Sequence, residues 1–128
     1  MMDFSLKPYE WQKEMEILFP NSNLKNFNFS GTSGIEFQFL NSFDGNFLGI
    51  LRCEEIWKIQ HEIDTTLTFP AFVGDVRVKD LRQDEKKDVF RYLNYGYEIP
   101  EVQKCYLVCV NGGEINTTII CGKIEINQ

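Results

Sequence analysis

His61 is the only histidine in 128 residues. Any imidazole base, proton shuttle or histidine-ligated metal must therefore use it, and no G-x-S-x-G elbow or comparable nucleophile setting accompanies it. Glu62 and Asp64 lie close by in sequence, but on a strand His61 and Glu62 point to opposite faces and cannot reach one ion. Phosphate loops are missing as well. The run Gly31-Thr32-Ser33-Gly34 lacks the lysine of a P-loop and precedes a strand pattern, while Gly112-Gly113 falls in a hairpin turn. No catalytic, metal or cofactor site is expected on these grounds.

Basic residues are also scarce: thirteen Lys/Arg stand against nineteen Asp/Glu, a net charge of −6. Such a field repels phosphate backbones and anionic headgroups, so neither nucleic acid nor a membrane surface is an expected partner. The deficit is uneven. Residues 1–64 hold five basic and ten acidic side chains, a net of −5, whereas residues 65–128 hold eight and nine, a net of −1. An acidic face in the first half would steer a basic protein partner toward it.

Long hydrophobic runs are absent. Cys105-Tyr106-Leu107-Val108-Cys109-Val110 is among the longest, well short of the roughly twenty residues a spanning helix needs. The N-terminus has no basic start followed by an apolar stretch, so no export signal is visible and a cytoplasmic location is expected. Cysteine is limited to Cys53, Cys105, Cys109 and Cys121. Each sits in an apolar run, as free buried thiols do. Cys105 and Cys109, four apart on one strand, are held roughly 13 Å apart, too far for a disulfide. Cys109 and Cys121 could face each other across the last hairpin, and that bridge stays open.

Aromatics, by contrast, are plentiful at 14%, eleven of them Phe, and bulky rings favour half-buried strands. Trp11, Met15, Leu18 and Phe19 recur at helical spacing, which predicts an amphipathic N-terminal helix over residues 8–19, opened by Pro8 and stopped by Pro20. Phe27 and Phe29 then alternate with Asn, and Ile35, Phe37 and Phe39 with Glu and Gln, predicting a hairpin whose aromatic face lacks the basic residues of a nucleic-acid platform and belongs to the core. After the Asp44-Gly45 turn, residues 47–53 are apolar on both faces, as in a central strand. Glu54-Glu55 interrupts, and residues 57–63 alternate as a further strand.

Phe69-Pro70-Ala71-Phe72 reads as an irregular entry to a half-exposed strand around Val76 and Val78. Val89, Phe90 and Leu93 predict a second helix over residues 83–94, its other side formed by the polar run Asp84-Glu85-Lys86-Lys87-Asp88. Two strands flanking Asn111-Gly112-Gly113-Glu114 close the chain. The inward set of the last one switches from odd to even at Gly122, the signature of a β-bulge. The expected fold is α+β and mainly β: an antiparallel β-sandwich or open curved barrel of about seven strands, with the N-terminal helix and one further short helix, in a single domain over residues 1–128.

Two functional readings follow. The first is a non-enzymatic, cytosolic protein-binding module, for which an immunity-type inhibitor or accessory domain is the natural example. Its partner surface would be built from Tyr92, Tyr95 and Tyr97, whose rings pair an apolar body with a polar tip, together with Glu54 and Glu55. The second is a small-ligand-binding or hydrolytic β-domain using His61 with strand-end carboxylates such as Glu54, Glu55, Asp75, Asp80 or Asp84. Homo-oligomerisation through a sheet edge is a further expectation.

Overall fold

Strict alternation in Ile35–Asn41 places Ile35, Phe37 and Phe39 on one face, and all three are buried. That pattern repeats through the chain and dictates a sheet. The computed structural model describes residues 14–29, 34–63, 70–92, 104–112 and 115–128. In chain order the strands are β1 (Glu16–Leu18), β2 (Ser22–Phe29), β3 (Ile35–Asn41), β4 (Phe47–Ile63), β5 (Ala71–Val73) and β6 (Asp75–Asp80). Helix α1 (Gln83–Tyr92) precedes β7 (Tyr106–Asn111) and β8 (Ile115–Asn127). The order across the sheet is β1-β6-β7-β8-β4-β3-β2-β5, every neighbour antiparallel.

The two longest strands hold this sheet together and fold it over. Residues 50–53 of β4 pair with residues 124–127 of β8, and residues 56–63 pair with residues 115–121. Between those stretches both strands change face at the same rung. Cys53 opposite Ile124 and Ile56 opposite Cys121 all belong to the inner core, three residues apart along each strand where alternation would require two. Glu55 supplies the left-handed step with φ 56°. Opposite it Gly122 offers no side chain, and Glu55 and Trp57 lie across the space a Cβ would fill.

The result is two leaves sharing β4 and β8. One runs β1-β6-β7-β8-β4, the other β8-β4-β3-β2-β5. Across the opposite side the chain passes between leaves at residues 19–21 and at Gly74, where the Asn21 N–H donates to the Gly74 carbonyl at 3.2 Å. Phe19 and Asn21 take φ values of 48° and 52° in that passage. Between the leaves lies one apolar cluster with Phe19, Phe37, Phe39 and Leu51 from one side and Val76, Val108, Val110 and Ile119 from the other. Each fully buried side chain of this size contributes about 1.5–3 kcal/mol by leaving water. A second cluster lies outside the first leaf, where Val89 and Phe90 of α1 cover Leu107, Cys109 and Ile120, with the Trp57 ring 6.3 Å from that of Phe90.

Several expectations change. The N-terminal helix does not extend to Phe19: Glu16–Leu18 is a strand paired with Val76–Val78, because a ladder to β6 outweighs local helical spacing, while residues 8–13 lie outside the described residues. Among the described residues there are eight strands, where the sequence pattern predicts about seven. The two strands predicted on either side of Glu54-Glu55 are one bent β4, and β1 and β5 are additional. The face switch at Gly122 is present, but the register shift lies on the partner strand between Ile56 and Lys58, leaving Trp57 as the extra residue. Helix α1 fits its periodicity, yet Lys86, part of its expected polar side, is buried. It stands three and four residues before Val89 and Phe90, so it shares their face, where a lysine stem packs as an apolar chain.

All four cysteines are free and buried. The Cys109–Cys121 bridge is excluded because Cys121 stands opposite Tyr106 in the inner core, whereas Cys109 stands opposite Thr118 and points to the cluster under α1. Cys121 instead shares a thiol hydrogen bond with Cys53, which together with burial pushes its pKa up. Burial likewise raises Cys105 to about 11.

Gly49 marks the tightest packing point at the residue 19–21 passage. The Phe19 ring stacks on Phe39 at 4.8 Å, and a Cβ on Gly49 would stand 2.7 Å from that ring and 2.7 Å from the Asn127 carbonyl oxygen. Gly49→Ala is expected to cost about 1–3 kcal/mol through overpacking. The measurement is a urea unfolding midpoint, which falls in the variant; an unchanged midpoint would show that Phe19 is not seated there.

Candidate functional site

Polar and apolar rows alternate along the outer face of the second leaf, and their register can be followed strand by strand. Phe72 of β5 stands opposite Asn23 of β2, Asn23 opposite Leu40 of β3, and Leu40 opposite Phe47 of β4. Ala71 and Val73 flank Phe72 and are buried, so Phe72 faces out, and it is 55% exposed; Phe47 is 56% exposed. At the usual strand spacing this row spans about 14 Å.

Beside the row, residues 42–46 form the turn between β3 and β4. Asn41 Oδ1 accepts from the backbone N–H groups of Phe43 and Asp44 at 2.8 and 3.3 Å, and Asp44 Oδ1 accepts from Asn46 N–H at 2.8 Å. The Gly45 N–H donates to the Asn41 carbonyl at 2.9 Å with Gly45 at φ 74°. This pinned turn presents Phe43 at 85% exposure, so its backbone is ordered before any partner arrives. Two exposed rings in one cross-strand row, with a third on the adjoining turn, exceed the scattered apolar exposure that needs no explanation.

Farther along the same face the rows are ionic. Arg52 lies 3.5 Å from Glu36 and 3.6 Å from Glu125, its neighbours on β3 and β8, and Lys123 lies 3.5 Å from Glu54. Lys79 pairs with Glu14 on the first leaf. The Arg52 and Lys123 pairs are exposed or half-exposed, each contributing little to stability. Through the Lys79 and Lys123 pairs, Glu14 and Glu54, two of the ten acidic residues of the first half, are joined to lysines of the second.

Of the partner surface predicted from sequence, Glu54 and Glu55 have described side chains. Glu54 is engaged by Lys123, and Glu55 lies over Gly122 at the bend between leaves. Tyr92 ends α1, but its side chain and both Tyr95 and Tyr97 lie outside the described residues. Phe43, Phe47 and Phe72 fall in sequence at a turn, in a central strand and at a strand entry, with nothing to mark them as surface. The available signal is an aromatic beside the Asp44-Gly45 turn, a position no core alternation requires.

His61 sits on β4 opposite Thr117 of β8, with Nδ1 2.5 Å from the buried Thr117 Oγ1. The residue is exposed overall, yet burial of part of the ring lowers its pKa below the ordinary 6.5. Among the described residues no three of His, Cys, Asp and Glu are grouped to hold a metal ion. Likewise, no helix there is long and apolar enough to cross a membrane.

One protein-family model, whose description reads only "-like", matches residues 17–128, and the chain belongs to that family. A crystal structure of an uncharacterized protein from Neisseria gonorrhoeae is similar with a TM-score of 0.61 at 17% identity, over 89% of this chain and 97% of that one. At that identity the likeness is one of fold. No curated protein matches the sequence.

The His61 geometry has a signed consequence for pH. A folded pKa below the unfolded value means that protons bind the unfolded chain more readily, so this contribution to stability is present above about pH 6.5 and lost as pH falls through the folded value. NMR titration of His61 is expected to show a midpoint below 6.5, and His61→Gln to flatten the fall in stability over that range. A midpoint at or above 6.5 would contradict the packing against Thr117.

Proposed function

Proceeding from a family membership that carries a fold and no stated activity, we propose that the protein is a non-enzymatic, cytosolic protein-binding module whose partner is a basic protein, in the manner of an immunity-type inhibitor or accessory domain. The observation that carries this reading is the row Phe72-Asn23-Leu40-Phe47, with exposed rings at both ends, beside Phe43 on its pinned turn. Exposed rings held on a rigid scaffold are the usual anchors of protein interfaces, because they bury much area while losing little conformational freedom. Asp44 beside Phe43 and the net charge of −6 favour a basic rim on the partner.

His61 takes no part in this surface. It lies toward the opposite end of β4 from Phe47, with its ring held against the Thr117 hydroxyl. The aromatic row therefore stands apart from the one imidazole in the chain, and its anchors are apolar side chains suited to binding.

The test is calorimetry against the basic proteins encoded beside this chain's gene, at two salt concentrations. Binding is expected to weaken with salt. Phe43→Ala and Phe72→Ala are each expected to weaken it by roughly tenfold or more, while leaving the unfolding midpoint within about 0.5 kcal/mol of wild type, as exposed positions do. Binding indifferent to both rings would overturn the proposal.

A further inference from the structure

The bend that divides β4 leaves part of it without a neighbour. β3 accompanies β4 only as far as Cys53, opposite Ile35, whereas β8 continues along residues 56–63 on the other side. Among the described residues, the second edge of residues 58–63 therefore pairs with no strand. An open edge of this length is a template for another strand, and natural sheets usually guard it with proline, a bulge or isolated charge. Residues 58–63 contain no proline, and the bulge of β4 lies before them.

The charges on this edge are not a simple guard, because they are self-complementary. Lys58, Gln60 and Glu62 alternate along one face, with Gln60 and Glu62 exposed and Lys58 half-buried. Neither Lys58 nor Glu62 has an ion-pair partner among the described residues. In an antiparallel pairing of two copies about a dyad at Gln60, Lys58 of each chain stands opposite Glu62 of the other, and Ile59 opposite His61. The other open stretch of long strand, residues 122–127 of β8, offers no such free charges: Lys123 and Glu125 already pair with Glu54 and Arg52.

We infer that the edge of β4 over residues 58–63 binds the same edge of a second copy of this chain, forming a two-fold dimer with a sheet continuous through both. This interface lies on the first leaf and does not rest on the binding role proposed for the outer face of the second, so either can fail alone. The dimer is isologous, so each opposite-charge contact occurs twice.

Sedimentation equilibrium of the full chain across a concentration series tests it. Wild type is expected to shift from monomer to dimer. Lys58→Glu places like charges opposite each other at both symmetric contacts and is expected to weaken association by roughly tenfold or more. Glu62→Lys should do the same with the opposite sign, which keeps the test independent if one variant folds poorly. The double exchange Lys58→Glu with Glu62→Lys recreates the pairing and should restore wild-type association. A monomeric wild type throughout, single exchanges without effect, or a double exchange that fails to restore the dimer would each overturn the inference.

Discussion

The structure depends on β4 and β8 changing face together. If only one of them skipped a residue, the other would turn its apolar side outward beyond the bend, since alternation transfers every later side chain to the opposite face. Because Glu54-Glu55 and Gly122-Lys123 are inserted at matching rungs, Cys53, Ile56, Ile59, Ile119, Cys121 and Ile124 all remain associated with the inner core. The register shift at Trp57 then sends one large ring outward, where it meets Phe90. One local feature thus closes the inner core and starts the outer one.

Sequence periodicity reveals most of the strands because it measures burial, and burial is what each strand experiences. Residues 35–39 and 115–119 follow it closely, whereas residues 107–110 are buried on both faces, because β7 lies between the inner core and the cluster under α1. It also reveals that something happens at Glu54-Glu55 and at Gly122. What it cannot reveal is that the two interruptions face each other, since that is a matter of which strands pair. For the same reason one continuous β4 reads as two strands. Residues 16–18 mislead because Met15, Leu18 and Phe19 satisfy helical spacing as well as they satisfy a short strand followed by a left-handed step at Phe19, and only the ladder to β6 decides between them.

The candidate surface is less legible than the fold. Glu54 and Glu55 stand out as a charged pair, but one is neutralised by Lys123 and the other serves the bend. Phe43, Phe47 and Phe72 are hidden by the abundance of phenylalanine, because a chain with eleven of them gives no hint which few face water. Their exposure follows from sheet register, with Leu40 and Phe72 on the outward parity of their strands, Phe47 turned outward by the register shift that places it opposite Leu40, and Phe43 on the turn between β3 and β4. The surface and the bend are linked in this sense: folding the sheet over itself uses one face of the second leaf for the core and commits the other to solvent.

The most direct measurement of that folding-over is a set of long-range proton contacts in solution between the leaves. Methyl groups of Val108, Val110 and Ile119 should share a network of nuclear Overhauser contacts with Leu51 and the rings of Phe37 and Phe39. Those contacts should accompany cross-strand ones at both Cys53–Ile124 and Ile56–Cys121. Intact β4–β8 pairing without contacts between the leaves would mean a flat sheet, and would contradict a coordinated change of face as the origin of the core.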